Sequence, residues 1–336
     1  MDSLRKVYHR AVQIPLDNVE RLWQDLEAFE TNLNKITAKK FMADLSPAHM
    51  QARTVLRQLV NHINPLYPPN PQDLYLPSLP TFDAAERGLV GKWKAYLKWE
   101  ENNPLEIEEK DKATLITRIQ GVYRKAVIRM RYYTEIWFMA YTWTNSVGKH
   151  DEALAILKAG LEANPSSFLL TFAYVEALEI KKEIAEIHAV YDKFLNTLRT
   201  NLDTIEQQVN SANSSFSSQG TQPAHPNGNG NAANDNSDSS FGSQSSDVKP
   251  PKVTELQKHR TEYGLAWIMY MRFGRRAEGV KASRAAFGKA RKDKWTPWEV
   301  YEAAGSFFGR VPLPLLTNLI YHSLDGIPLL RRQIGS

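Results

Sequence analysis

Apolar and aromatic residues recur three and four positions apart along most of this chain, with polar residues between them. The clearest stretch runs from Trp93 to Glu100, where Trp93, Tyr96 and Trp99 stand three apart and Glu100 follows at once. At about 100° per residue, these four side chains fall within an arc of about 120°, so a helix carries all of them on one face. Three aromatics left in water would forfeit about 1.5–3 kcal/mol each, so the pattern predicts that the whole face is buried. Asn103-Pro104 predicts the end of that helix.

The stripe recurs. Trp23-x2-Leu26-x2-Phe29-Glu30 matches it position by position, and Trp137-x2-Ala140-x2-Trp143 follows with Thr144 in place of the glutamate. Looser copies begin at Phe172 (ending Leu178-Glu179), at Trp267 (with Tyr270 and Phe273) and at Trp298 (with Tyr301 and Ala304). A second pattern alternates with the first: Val7-Tyr8-His9-Arg10-Ala11, Val122-Tyr123-Arg124-Lys125-Ala126, Val190-Tyr191-Asp192-Lys193-Phe194 and Ala286-Phe287-Gly288-Lys289-Ala290. Starts about 30–45 residues apart have the size of a two-helix unit. The unit predicted is an antiparallel helical hairpin, which cannot cover its own apolar face and so must stack on its neighbours. The expected fold is all-α, a solenoid of stacked hairpins. Its core is expected to hold Trp23, Phe29, Trp93, Tyr96, Trp99, Tyr123, Trp137, Tyr191, Trp267 and Tyr270. Glu30 and Glu100 stand at the inner edge of that core, where an unbonded carboxylate would be costly. Each is expected to accept from a tyrosine hydroxyl, an indole N–H or an arginine of the adjoining helix; a solvated glutamate at the seam is the alternative.

At these residues the sequence resembles the half-a-TPR, or HAT, repeat. The stretch from Gly148 to Pro165 alone looks like the ordinary tetratricopeptide unit. The runs "LRKVYHRAVQIPLDNVERLWQDLEAFE" (4–30) and "MRFGRRAEGVKASRAAFGKARKD" (271–293) narrow the resemblance to the suppressor-of-forked family. That family is the HAT-repeat scaffold subunit of cleavage stimulation factor and of yeast cleavage factor IA. The resemblance implies a non-enzymatic scaffold for pre-mRNA 3′-end cleavage and polyadenylation, in the nucleus with the cytoplasm left open. It also implies two arcs of repeats, a homodimer through the second arc, and cleavage/polyadenylation partners that include an RNA-recognition subunit held by a tail beyond the repeats.

On this frame residues 1–65 end the first arc and the proline-rich segment 66–81 joins the arcs. Repeats then fill 82–202 and 253–304, a Ser/Asn/Gly-rich insertion occupies 203–252, and 305–336 is a non-repeat tail. The insertion has too little apolar mass to offset ordering entropy, so disorder is expected there, between a helix ending near Asn201 and one starting near Thr254. The chain opens in a second-type helix and the repeat begun at Trp298 lacks a partner, so an incomplete reading of a longer gene is expected. The family's late repeats and tail would then be missing, which puts dimerisation by this chain in question.

Composition removes several kinds of chemistry. There are no cysteines, which excludes disulfides, thiolate zinc sites and cysteine nucleophiles and fits a reducing compartment. No Walker loop, His-Glu-x-x-His or nucleophile elbow occurs, so no enzyme, metal or cofactor is expected. No run of 18 apolar residues is present, and no membrane partner is expected. The formal charge of +5 is mildly basic, and bases crowd one region: Arg272, Arg275, Arg276, Lys281, Arg284, Lys289, Arg291, Lys292 and Lys294. Two readings stay open for it: a basic face for RNA phosphate or an acidic partner, or a solvated face with inter-repeat pairs to glutamates. Any direct RNA binding is expected to be weak and salt-sensitive. Scaffolds of spliceosome or ribosome assembly carry similar arrays and remain the alternative function.

Overall fold

The computed structural model describes residues 2–67, 77, 79–107, 111–217 and 251–308. Among the described residues there are twelve α-helices and no strand, so the all-α expectation is borne out. They are α1 (Asp2–Ala11), α2 (Val19–Leu33), α3 (Lys35–Ile63), α4 (Ala84–Glu101), α5 (Lys112–Arg129) and α6 (Thr134–Ser146), then α7 (His150–Ala163), α8 (Phe168–Lys181), α9 (Ile184–Ser217), α10 (Pro251–Ala277), α11 (Val280–Ala290) and α12 (Trp298–Phe308). They form two compact units, Met1–Tyr174 and Val175–Ser336.

In the first unit, helices consecutive in sequence pack on each other from α1 to α7. Short, chemically marked joints make this possible. Asn34 separates α2 from α3, and its side chain accepts from the backbone N–H groups of Ile36 and Thr37, which caps two of the orphan donors of α3. At α4 the Asp83 carboxylate accepts from Glu86 N–H, while the Glu86 carboxylate reaches back to the N–H groups of Thr81 and Phe82; this is a reciprocal cap. That backbone bond is the first cause holding the Asp83 carboxyl below the ordinary carboxylate pKa. Gly148, at φ 83°, closes α6, with Lys149 N–H bonding back to Thr144 C=O, a left-handed stop that glycine adopts without steric cost. The core between α4, α5 and α6 holds Val90, Trp93, Tyr96, Leu97, Tyr123, Ala126 and Ile136, with Leu66 from the turn after α3. A smaller cluster gathers Val12, Leu26 and Leu45, flanked by Tyr8, Trp23, Phe29 and Phe41.

In the second unit α10 is central and packs against α9, α11 and α12. Tyr191 and Phe194 of α9 meet Tyr263, Trp267, Tyr270 and Phe273 of α10 in the buried interior, and the Tyr191 and Tyr270 rings stack at 4.7 Å. At Gly274 a Cβ would lie 3.3 Å from the Ser283 backbone nitrogen, so the absent side chain lets α10 and α11 approach closely.

Three expectations need correction. In α4 the fully buried positions are 0, 3, 4 and 7, whereas the stripe was read as 0, 3, 6, 7: Trp93, Tyr96, Leu97 and Glu100 are buried, while Trp99 is half-buried. Phe29 and Trp143, at the equivalent place, are half-buried too, whereas Leu178 and Phe273 in the stripes begun at Phe172 and Trp267 are fully buried as read. In α2, α4 and α6 the reason is angular: position 6 sits about 120° from position 0, at the rim of the face. Next, the stripe assigned to Trp298 is out of frame. Trp298 and Tyr301 are 68% and 47% exposed, and α12 buries Val300, Ala303, Ala304 and Phe307. Pro297 explains the shift, because its ring abuts Gly264 where a Cβ would not fit, and this sets Val300 against α10.

Finally, α9 does not stop near Asn201 but runs to Ser217, and α10 starts at Pro251. Leu202 is fully buried, and Asp203 accepts from Trp295 Nε1–H at 2.9 Å. One apolar anchor and one indole bond thus carry the helix beyond the point where composition turned polar. The rest of the expected insertion from 218 to 250, most of the proline-rich segment and the tail beyond Phe308 lie outside the described residues.

Candidate functional site

The chemistry of this chain is concentrated where glutamates meet the helix seams. Glu100 is 1% exposed and sits one turn beyond Tyr96, whose hydroxyl donates to Oε1 at 3.0 Å. Arg118 of α5 donates to both carboxylate oxygens, from Nε at 2.9 Å and Nη2 at 3.0 Å. A buried carboxylate needs such pairing, and a forked guanidinium supplies it with fixed geometry. Glu30 is 2% exposed and receives the same fork from Arg5 of α1, at 2.6 and 2.8 Å. A third fork joins Arg276 of α10 to Glu179 of α8 at 2.6 and 2.7 Å, and this raises the guanidinium pKa above its ordinary value. Thr144, standing in the glutamate's place in α6, is buried. Beside Glu100, the Glu101 carboxylate accepts from the Tyr123 hydroxyl. Burial first, and the adjoining carboxylates second, push the phenol pKa of both Tyr96 and Tyr123 well above the ordinary value.

Of the other aromatics singled out in the sequence, Trp93, Trp137, Tyr191, Trp267 and Tyr270 are buried, while Trp23 and Phe29 are half-buried. The Trp137 indole donates to Arg131 C=O at 2.8 Å, whereas the buried Trp93 and Trp267 indole nitrogens find no hydrogen-bond partner. Half-buried Trp99 donates to Gln58 of α3 at 3.3 Å and lies 5.1 Å from the His62 ring. Trp23 stacks on the buried His49 ring at 4.3 Å.

The basic run divides. Arg276, Lys289 and Lys294 are tied to Glu179, Asp192 and the Asp203–Glu206 pair respectively. Lys294 also lies over the Trp295 ring at 4.5 Å, and its bonds to Glu206 and Asp203 raise its pKa. Arg272 is half-buried over Phe307, and burial depresses its pKa. Arg275, Lys281, Arg284, Arg291 and Lys292 stay exposed.

Sequence reasoning missed the partners more than the sites. Arg5 and Arg118 stand 25 residues before and 18 residues after their glutamates, so no fixed spacing announces them. His188 of α9 was likewise unmarked. It bridges Tyr270 at 2.8 Å through Nδ1 and Glu278 at 2.7 Å through Nε2. With the ring neutral, Nε2–H donates to Glu278 and Nδ1 accepts the tyrosine proton, because a carboxylate only accepts. Asp293 gathers Tyr263 at 2.9 Å and Arg199 at 3.3 Å, which pins the loop after α11. Among the described residues no cluster of His, Asp and Glu is arranged to hold a metal.

Comparison with known proteins fits this architecture. The sequence profile of the suppressor of forked protein family (Suf) matches residues 1–307. The mRNA 3′-end-processing protein RNA14 of Cryptococcus neoformans var. neoformans serotype D (strain JEC21) is 41% identical, over 90% of this chain and 29% of its own length. Its counterpart in Aspergillus oryzae is 32% identical over 90% of this chain and 30% of its own length. The Schizosaccharomyces pombe protein of the same name is 29% identical over 90% and 38%. This chain thus spans about a third of the length of those relatives. A crystal structure of CstF-77 superposes with a TM-score of 0.53 over 99% of this chain and 58% of that one, at 16% identity, and so shares its fold. Matched by the profile over nearly every described residue, the chain belongs to the suppressor of forked protein family.

Proposed function

We propose that this chain acts as a non-enzymatic scaffold in pre-mRNA 3′-end cleavage and polyadenylation, binding other processing factors through its stacked hairpins in the nucleus. The observation that carries the reading is the 41% identity, across nine-tenths of the chain, to a protein named for mRNA 3′-end processing. The chemistry described above is consistent with it. Glu30 and Glu100 are consumed in bidentate pairs with arginines and hold helix to helix. A carboxylate whose two oxygens are both taken by one guanidinium is a joint of the framework.

The test is affinity capture of nuclear-extract proteins on the full chain, with nuclease present and the retained proteins identified by mass spectrometry. Retention of cleavage and polyadenylation factors is the expected outcome. Retention of spliceosomal or ribosome-assembly proteins in their place would reassign the scaffold, and a folded chain that retained nothing above a control would overturn the reading.

A further inference from the structure

Helix α5, in the middle of the first unit, is basic along its whole length. From Lys112 to Arg131 there are six Lys and Arg residues and no Asp or Glu. Two of the six act inside the fold: Arg118 is forked onto Glu100, and the Arg129 guanidinium lies over the Tyr67 ring at 5.4 Å. Arg124, Lys125 and Arg131 are exposed, and no carboxylate among the described residues pairs with them. Arg124, Lys125 and Ile128 fall within an arc of about 100°, and Ile128 is 59% exposed. Arg131 follows the helix end on a turn fixed from two sides, because its carbonyl accepts from Trp137 Nε1 at 2.8 Å and from Asn164 Nδ2 at 3.0 Å. Gly121 lies in the same arc one turn before Arg124, and a Cβ there would meet nothing within 4 Å. Glycine inside a helix is destabilising, and no close neighbour in the fold requires this one. Helices stand on both flanks: α4 and α6 pack on α5, and Gln120 donates to Glu152 of α7 at 2.7 Å. Among the described residues, the outward side of α5 is thus left open by the way hairpins stack and not by an end of the array.

We infer that this face of α5 binds an acidic segment of a partner protein in which an aliphatic side chain stands among carboxylates. The carboxylates pair with Arg124, Lys125 and Arg131, the aliphatic group packs on Ile128, and the partner backbone comes close over Gly121. The inference rests on the scaffold reading and names the partner chemistry for one of its surfaces. Cations gathered without acids repel one another, and a partner of opposite charge relieves that repulsion. The arginine fork also matches a carboxylate in shape. Protein is favoured over nucleic acid by what stands between the cations. Ile128 offers a base no aromatic plane to stack on, whereas an apolar anchor ringed by polar contacts is the common anatomy of a protein interface.

Fluorescence anisotropy of the purified full chain with a labelled glutamate-rich peptide carrying one leucine tests this, at low and at physiological salt. Binding that weakens with salt is expected. Converting Arg124, Lys125 and Arg131 to glutamine should weaken it by about 1.4–5-fold per cation, the worth of an exposed ion pair. Ile128→Gln should weaken it by about 5–20-fold, through loss of apolar contact over the exposed part of the side chain, and replacing the leucine of the peptide by glutamine should act alike. Gly121→Met should raise the melting temperature, since methionine favours helix and has room there, yet weaken binding. Lys98→Gln, which removes a cation already paired with Glu101, should change binding least. Melting by circular dichroism checks that each variant stays folded. No binding at low salt would overturn the inference, as would unchanged affinity in the three-glutamine variant. Single-stranded RNA bound more tightly than the peptide, with Ile128→Gln without effect on either, would overturn it in favour of a nucleic-acid site. The peptide assay uses purified components, so its failure leaves capture of processing factors from extract, and with it the scaffold reading, intact. Empty capture beside sound peptide binding would overturn the scaffold reading alone.

Discussion

At the residue scale, the repeated stripe contains side chains of unequal weight. Trp93 is 1% exposed and central to the α4–α5–α6 core, whereas Trp99 lies at the rim and bonds Gln58. Trp93→Ala should therefore cost about 3–5 kcal/mol. Trp99→Ala, which opens no enclosed cavity, should cost less than half as much, and urea unfolding of both variants measures the ratio. Trp93→Phe should be far milder than Trp93→Ala, since the indole nitrogen it removes has no hydrogen-bond partner. The buried phenols set the alkaline limit of the fold. Burial raises the pKa of Tyr96, Tyr123, Tyr191 and Tyr263 strongly and pushes Tyr270 to about 12. In the unfolded chain the same groups ionise near pH 10. The folded state thus holds protons that the unfolded state releases above pH 10, so stability is full below that pH and falls as pH rises toward 12. Absorbance titration of tyrosinate, run beside circular dichroism, should show these tyrosines ionising together with loss of helix.

At the element scale, helix existence was legible and helix frame and length less so. Spacing of three and four announced every stripe, because burial of one helical face dictates that period. The frame failed at α12, where Trp298 drew the eye but the tight contact of Pro297 with Gly264 decides which side faces inward. Length failed at α9, because the indole of Trp295, distant in sequence, holds Asp203. The seam glutamates were legible from their place beside the stripe. The arginines answering them were not, since pairing across a seam depends on helix-to-helix geometry that no spacing records. One helix end offers a test. Lys182, which follows α8, has φ 61°, and Glu183 N–H bonds back to Leu178 C=O. This is the left-handed stop that glycine makes without a Cβ penalty. Lys182 is exposed and enters no core contact, so Lys182→Gly should stabilise by about 0.5–1 kcal/mol. A lower melting temperature in that variant would mean that its lysine side chain contributes more than its backbone strain costs.

At the scale of the molecule, a chain of hairpins transmits perturbation differently from a globule with one centre. In the first unit, packing runs from each helix to its neighbours in sequence: α1 with α2, α2 with α3, α3 with α4, and on through α6 with α7. Stability in such an array is close to a sum of local terms and nearest-neighbour interfaces. A cavity at Trp93 removes contacts that α4 shares with α5 and α6, and leaves the Val12–Leu26–Leu45 cluster intact. Native-state amide exchange in Trp93→Ala should therefore quicken most in α4 and α5, less in α3 and α6, and least in α1 and α2. The forks sharpen the gradient, because Arg118–Glu100 spans the wounded seam while Arg5–Glu30 lies one cluster away. Uniform quickening across all seven helices would mean that the unit unfolds as one cooperative body and that its interfaces outweigh its individual hairpins. A graded response would mean that each hairpin keeps stability of its own, which lets such an array hold several partners on adjacent surfaces while yielding locally to each.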